Sequence, residues 1–143
     1  MINIDFPIFR FKIKQETTKE FIYDEIRRNW FVLTPEEWVR QNFIQYLTAT
    51  KKYPASLIAI EKEIKVGELK KRFDIVIYKD AIPWMIVECK QMDVQLKGNV
   101  LQQVLTYNLH LQANYLAITN GNVSFLWERK NDEFVEINNF PVW

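Results

Sequence analysis

Two apolar runs, Phe73–Tyr78 and Trp84–Cys89, stand on either side of the short break Lys79-Asp80-Ala81-Ile82-Pro83. Both runs are rich in Ile, Val and aromatic residues, so both read as strands, and the break between them is hairpin length. A turn centred on Ala81 places Asp74 opposite Glu88. Side chains alternate across a strand, so Asp74, Glu88 and Lys90 are then expected on one face. Carboxylates facing each other across a sheet repel, which destabilises the pairing unless something cancels the charge. A divalent cation with oxygen ligands would cancel it. So would a cross-strand salt bridge from Lys90, and spacing alone does not separate the two readings.

The rest of the chain bounds what this hairpin belongs to. A length of 143 residues is typical of one domain, and nearly half of the residues (48%) are apolar, enough for a real core. A net charge of +1 carries no global signal for nucleic acid, so any DNA surface has to be a local patch. The single cysteine excludes an internal disulfide and a cysteine-based zinc site. It fits a reducing, cytoplasmic setting. The opening Met1-Ile2-Asn3-Ile4-Asp5 does not read as a secretory signal, and no apolar run is long enough to span a membrane.

Residues 8–13 alternate and are expected to form a strand. Phe21–Leu33 is extended at both ends, with a charged turn or short helix at Asp24–Asn29. A helix is expected from Thr34 to about Thr50. Thr34 is the N-cap, Pro35 suits the first helical position, and Glu37 stands at capping-box spacing. Its inward stripe is Val39, Phe43, Tyr46 and Leu47, with Glu36 on the same stripe. On this reading Glu37 has a capping task and Glu36 has none. A strand near Leu57–Val66 follows, with Ile58, Ile60, Ile64 and Val66 on one face. Glu61 and Glu63 lie on the other; Glu63 reads as a solvated charge and Glu61 is open. A second helix is expected over Gly98–Gln112. Strands follow at Tyr115–Thr119, Val123–Glu128 and Glu133–Ile137, with a turn at Asn120-Gly121-Asn122. This order gives an α/β fold with a mixed sheet flanked by helices. One domain over 1–143 is expected, with 1–33 an extension packed on it.

Asp74 and Glu88 offer the hard oxygen ligands that Mg²⁺ prefers, with the Cys89 carbonyl as a further donor. Lys90 would orient a water or steady phosphate charge. On the second helix Gln103 and Tyr107 lie four apart and share a face, which could overlook the carboxylates. Taken alone, that pair reads as an ordinary amphipathic surface. His110 follows on the same stripe and is left out of the site. Among the basic residues Lys62, Lys65, Lys70, Lys71 and Arg72, most read as a solubilising loop. Arg72 is expected nearest the acids, across from Lys90.

Together these pieces resemble a known family. Asp74 with Glu88-Cys89-Lys90 is similar to the signature of PD-(D/E)xK nucleases, and Gln103–Tyr107 is similar to the Gln-x-x-x-Tyr motif of their exonuclease and restriction branches. Thr34–Gln41 resembles the first helix of the type I restriction enzyme R-subunit N-terminal domain. The resemblance implies a restriction-endonuclease-like core and a Mg²⁺-dependent DNA endonuclease, with Mn²⁺ able to substitute. Asp74 and Glu88 become metal ligands and Lys90 the catalytic lysine. Glu36 supports the metal shell, Gln103 and Tyr107 hold the site, and Arg72, Lys70 and Lys71 contact DNA. Phe73 departs from the signature, which has proline there. No Gly-x-x-x-x-Gly-Lys motor motif is present, so a stand-alone nuclease domain or a remnant of one is expected, acting as a homodimer or beside motor and specificity subunits. The competing readings are a non-cleaving DNA- or protein-binding module that keeps the fold, and a structural protein whose charged hairpin end is a salt bridge.

Overall fold

The computed structural model describes residues 1–143. Its elements run β1 (Ile2–Asn3), β2 (Ile13–Glu16), β3 (Lys19–Asp24), β4 (Asn29–Val32), α1 (Pro35–Gln45), β5 (Ile58–Val66), β6 (Leu69–Lys79), β7 (Ile82–Cys89), α2 (Asn99–Tyr107), β8 (Tyr115–Thr119), β9 (Val123–Lys130) and β10 (Glu133–Ile137). It is a mixed α/β fold, mostly strands. The main sheet has the order β1-β9-β8-β7-β6-β5, with β10 also on β9. Only β7 and β8 run parallel, and α2 makes the crossover between them. The two helices cover opposite faces. Val39, Phe43, Ile44 and Leu47 from α1 and the turn after it pack with Ile58, Ile75, Ile77, Met85 and Val87. Val104 of α2 packs with Val76, Ile86, Leu116 and Ile118 on the other face.

The first helix begins as expected. Thr34 is the N-cap and its hydroxyl accepts from the Glu37 N–H at 3.0 Å. The capping box does not close, because the Thr34 N–H pairs with the Val32 carbonyl instead. That frees the Glu37 carboxylate for another role. After Gln45 the helix loosens into a π turn, Tyr46–Thr50, where the Thr48 hydroxyl donates back to the Ile44 carbonyl.

The N-terminal third departs from expectation. Residues 8–12 form no strand: the Lys12 carbonyl accepts the Tyr23 N–H at 3.0 Å, but the regular ladder begins only at Ile13. Ile8 is exposed, and Phe11 packs edge-on against Trp38 of α1. β2, β3 and β4 make a separate antiparallel sheet. The Asp24–Asn29 segment is a turn: Asp24 Oδ1 accepts from the N–H groups of Ile26 and Arg27.

The expected hairpin forms in the expected inner register, Ile75↔Val87, Val76↔Ile86 and Ile77↔Met85. It does so by a different turn. Asp80 and Ala81, with φ of 54° and 62°, make a two-residue turn, and a register shift between Ile77 and Tyr78 restores the pairing beyond.

The strand expectation for Ile58, Ile60, Ile64 and Val66 is corrected. Glu61 has φ of 50°, and the ladder between β5 and β6 skips Glu61 and Asp74 while the pairs Ile60↔Ile75 and Lys62↔Phe73 flank the gap. The inward phase flips there. Ile58, Ile60 and Ile75 face the α1 side, whereas Ile64, Val66 and Phe73 face the α2 side. The second helix is also shorter than expected. Asn108 ends it, its amide donating back to the Val104 carbonyl, so His110 lies beyond the helix on an exposed turn. Leu111 still reaches the core.

Candidate functional site

The break at Glu61/Asp74 is what opens the site. Pairing of β6 with β7 stops at Ile75↔Val87, so the strands part just where the charged residues begin. At the fork Asp74 replaces the missing ladder bond with its own carboxylate: Oδ2 accepts the Cys89 N–H at 2.8 Å. The Lys90 N–H is held on the other side by the Thr119 carbonyl at 2.8 Å. Glu88, Cys89 and Lys90 are thus pinned from both neighbours at the end of β7.

A cleft of about 660 Å³ lies over this fork. Glu36, Glu61, Asp74, Glu88, Lys90, Gln103 and Tyr107 all line it, with Lys71 and Arg72 at its basic side. Lys70 does not line it and is exposed. Arg72 lines the cleft but pairs with Glu63 of β5, not across from Lys90. The expectation that alternation puts Asp74, Glu88 and Lys90 on one face is corrected too, since the pleat does not run regularly through Asp74. The residues meet because the strands separate. Asp74 turns to α1, where Arg40 Nη2 donates to Oδ1 at 2.7 Å. Glu88 turns to the end of α2, where the Asn108 amide donates to Oε1 at 3.2 Å. Lys71 in turn donates to Asn108 Oδ1 at 3.0 Å. Gln103 Nε2 donates to the Tyr107 hydroxyl at 3.4 Å, on the exposed side of α2.

Arg40 is the residue that sequence reasoning missed. It is buried, yet its guanidinium lies within ion-pair reach of Glu36 (3.5 Å), Glu37 (2.8 Å), Glu61 (3.6 Å) and Asp74 (2.7 Å). Burial opposes its charge, but the Asp74 hydrogen bond and the Glu37 carboxylate outweigh burial and keep it protonated. Its spacing of three from Glu37 and four from Glu36 was a legible sign of helical ion pairs; nothing local pointed to Asp74. Arg40, not Lys90, neutralises the hairpin acid, and Lys90 forms no ion pair. Burial, then the neighbouring Asp74 charge, raises the Glu36 carboxyl above its ordinary value, against the pull of Arg40 and Lys90. Glu61, open from sequence, faces both Arg40 and Arg27 at 3.6 Å. Cys89 is fully enclosed, and burial pushes its thiol well up, so it supplies no nucleophile. No three acidic, histidine or cysteine side chains converge on a single point. No helix is long and apolar enough to cross a membrane.

Comparison with curated proteins and with solved structures returned no significant match. The family described as Type I restriction enzyme R protein N terminus matches residues 35–141. The match opens at the first residue of α1 and takes in every residue lining the cleft, while the β2-β3-β4 sheet precedes it. By that match over most of its length, the chain belongs to the family of type I restriction enzyme R protein N-terminal regions.

Proposed function

We propose that this domain is a Mg²⁺-dependent DNA endonuclease with a PD-(D/E)xK-type, restriction-endonuclease-like core. The observation that carries the reading is the meeting of Asp74, Glu88 and Lys90 with Glu36, Gln103 and Tyr107 in one open cleft, in a chain of a restriction-enzyme family. The donor set suits a hard divalent ion, because every candidate ligand is an oxygen. Mg²⁺ takes only one or two carboxylates and keeps its waters, so Asp74 and Glu88 suffice to hold it, with Mn²⁺ as a substitute. When bound, the ion supplies an acidified water and countercharge for a phosphodiester. The protein's own groups do the rest. The Lys90 ammonium steadies negative charge growing on the phosphate. Glu36 supports the ligand acids from α1. Lys71 and Arg72 grip backbone phosphates, and Gln103 and Tyr107 offer an amide and a hydroxyl to the strand. The reading places the domain in the cytoplasm, on DNA, as a homodimer or beside motor and specificity subunits.

A second reading has its own observation. Arg40 already occupies Asp74 Oδ1, and no third acid converges with the pair. Both favour a module that keeps the fold and binds DNA or protein without cutting. Supercoiled plasmid incubated with the protein and Mg²⁺ or Mn²⁺ separates them. Nicking that falls at least ~100-fold in Asp74→Asn and in Lys90→Met supports the nuclease. Plasmid binding with no cleavage in either metal refutes it in favour of the module.

A further inference from the structure

We propose that Arg27, carried by the N-terminal sheet ahead of the family match, is a positioning residue of the cleft that sets Asp74 through Glu37 and Arg40. The inference rests on the nuclease reading above.

Arg27 follows β3 in the Asp24 turn and reaches across to α1. Its Nε donates to Asp24 Oδ2 at 2.7 Å and its Nη2 donates to Glu37 Oε1 at 2.9 Å. Its Nη1 lies 3.6 Å from Glu61, and the guanidinium stacks 3.4 Å from the Phe31 ring centre. Glu37 Oε1 also accepts from Arg40 Nη1 at 2.8 Å, and Arg40 Nη2 donates to Asp74 Oδ1 at 2.7 Å. A run of charge-assisted hydrogen bonds therefore joins the N-terminal sheet to the acid at the fork. Its starting point is firmly fixed. Asp24 is fully buried and accepts from Gln41 as well as from the turn N–H groups. Burial alone would raise its carboxyl, but the Arg27 and Gln41 hydrogen bonds hold it below the usual 3.8.

Charge decides why the far end responds. Arg27 and Arg40 serve Asp24, Glu36, Glu37, Glu61 and Asp74, so carboxylates outnumber cations within the network. Without Arg27, Glu37 and Glu61 both turn to Arg40 and draw it off Asp74. Asp74 then keeps only the Cys89 N–H bond to Oδ2 and loses the one that sets Oδ1, while Lys71 and Arg72, which would hold the DNA, are untouched. Loss of a direct outer partner typically costs 10- to 100-fold in metal affinity or activity, and Arg27, two hydrogen bonds behind Arg40, falls at the low end of that range.

The test uses the full chain. In Arg27→Gln, Mn²⁺ affinity measured by electron paramagnetic resonance falls about 10-fold or more, and kcat for plasmid cleavage falls with KM unchanged. Arg27→Lys keeps the charge but not the three-nitrogen fork and recovers only part of the loss. Phe31→Leu loosens the stacked guanidinium without removing it and shifts affinity less, in the same direction. Tyr23→Ala, on the outer face of the same sheet against Trp30, weakens the sheet but leaves the relay alone and keeps wild-type Mn²⁺ affinity. Wild-type or raised Mn²⁺ affinity in Arg27→Gln would overturn the proposal, a rise meaning that Arg40 blocks Asp74 rather than setting it, as would equal losses in Tyr23→Ala. Wild-type protein that neither binds Mn²⁺ nor cuts DNA removes the nuclease reading itself, and this proposal with it.

Discussion

Arg40→Met is the sharpest probe of how the cleft is held together. The side chains of Arg40 and Glu37 are each only 7% exposed, and Asp74 is 18% exposed. Removing one partner of a buried ion pair strands the other and costs roughly 3–5 kcal/mol. One term runs the other way: Arg40 Nε is buried without an acceptor, and deleting it returns about 1 kcal/mol. The net expectation is a loss of about 3 kcal/mol, a large share of the ~5–15 kcal/mol that holds a domain together. At this chain length that is a fall of about 10 °C in the calorimetric midpoint. Adding Asp74→Asn to Arg40→Met removes the acid left without a cation, since Glu37 keeps Arg27, and should restore about 1–2 kcal/mol, a coupling that only contacting residues show. A midpoint within about 2 °C of wild type would refute the reasoning. It would mean that these pairs behave as solvated surface bridges worth under ~1 kcal/mol.

Three further outcomes rest on backbone conformation and burial. Gly121 has φ of 86°, and a Cβ there would stand 3.3 Å from Val39 Cγ2, so Gly121→Ala should cost about 2 kcal/mol. Gly98→Ala, with φ of 50° and nothing within 4 Å, should cost about 1 kcal/mol; urea midpoints at constant slope check both. Cys89 is 3% exposed with its thiol raised, so labelling by a disulfide reagent should be at least ~10³-fold slower than in the unfolded chain. Rapid stoichiometric labelling of the native protein would contradict that enclosure.

Much of the fold is legible in local pattern because the forces are local. Two β-branched-rich runs on either side of a short break set the register Ile75↔Val87 without reference to the rest of the chain, although the turn itself is a two-residue one with a register shift. Thr34 caps α1 because its hydroxyl meets an N–H three residues on. Asn120-Gly121-Asn122 turns because Asn120 Oδ1 accepts the next N–H groups and Gly121 takes a positive φ. What failed were inferences carried one step past local pattern. Alternation assumes an unbroken pleat, and Glu61 breaks it. Helical periodicity ran on to Gln112, but Asn108 ends α2 and Arg129 takes up the carbonyls of Leu109 and Leu111. The capping box at Glu37 stays open because the Thr34 N–H pairs with the Val32 carbonyl, and two arginines take the freed carboxylate.

The amino-acid order by itself determined which side chains could serve as acid, acid and amine, and that they would lie at one end of a β-ribbon, because strand register is a matter of neighbours. Only the assembled structure decided what stands around them. Arg40 reaches Asp74 across 34 positions of chain, and Arg27 reaches Glu37 from a different sheet. Such partnerships depend on how layers pack, and a guanidinium takes whichever carboxylates burial leaves without water.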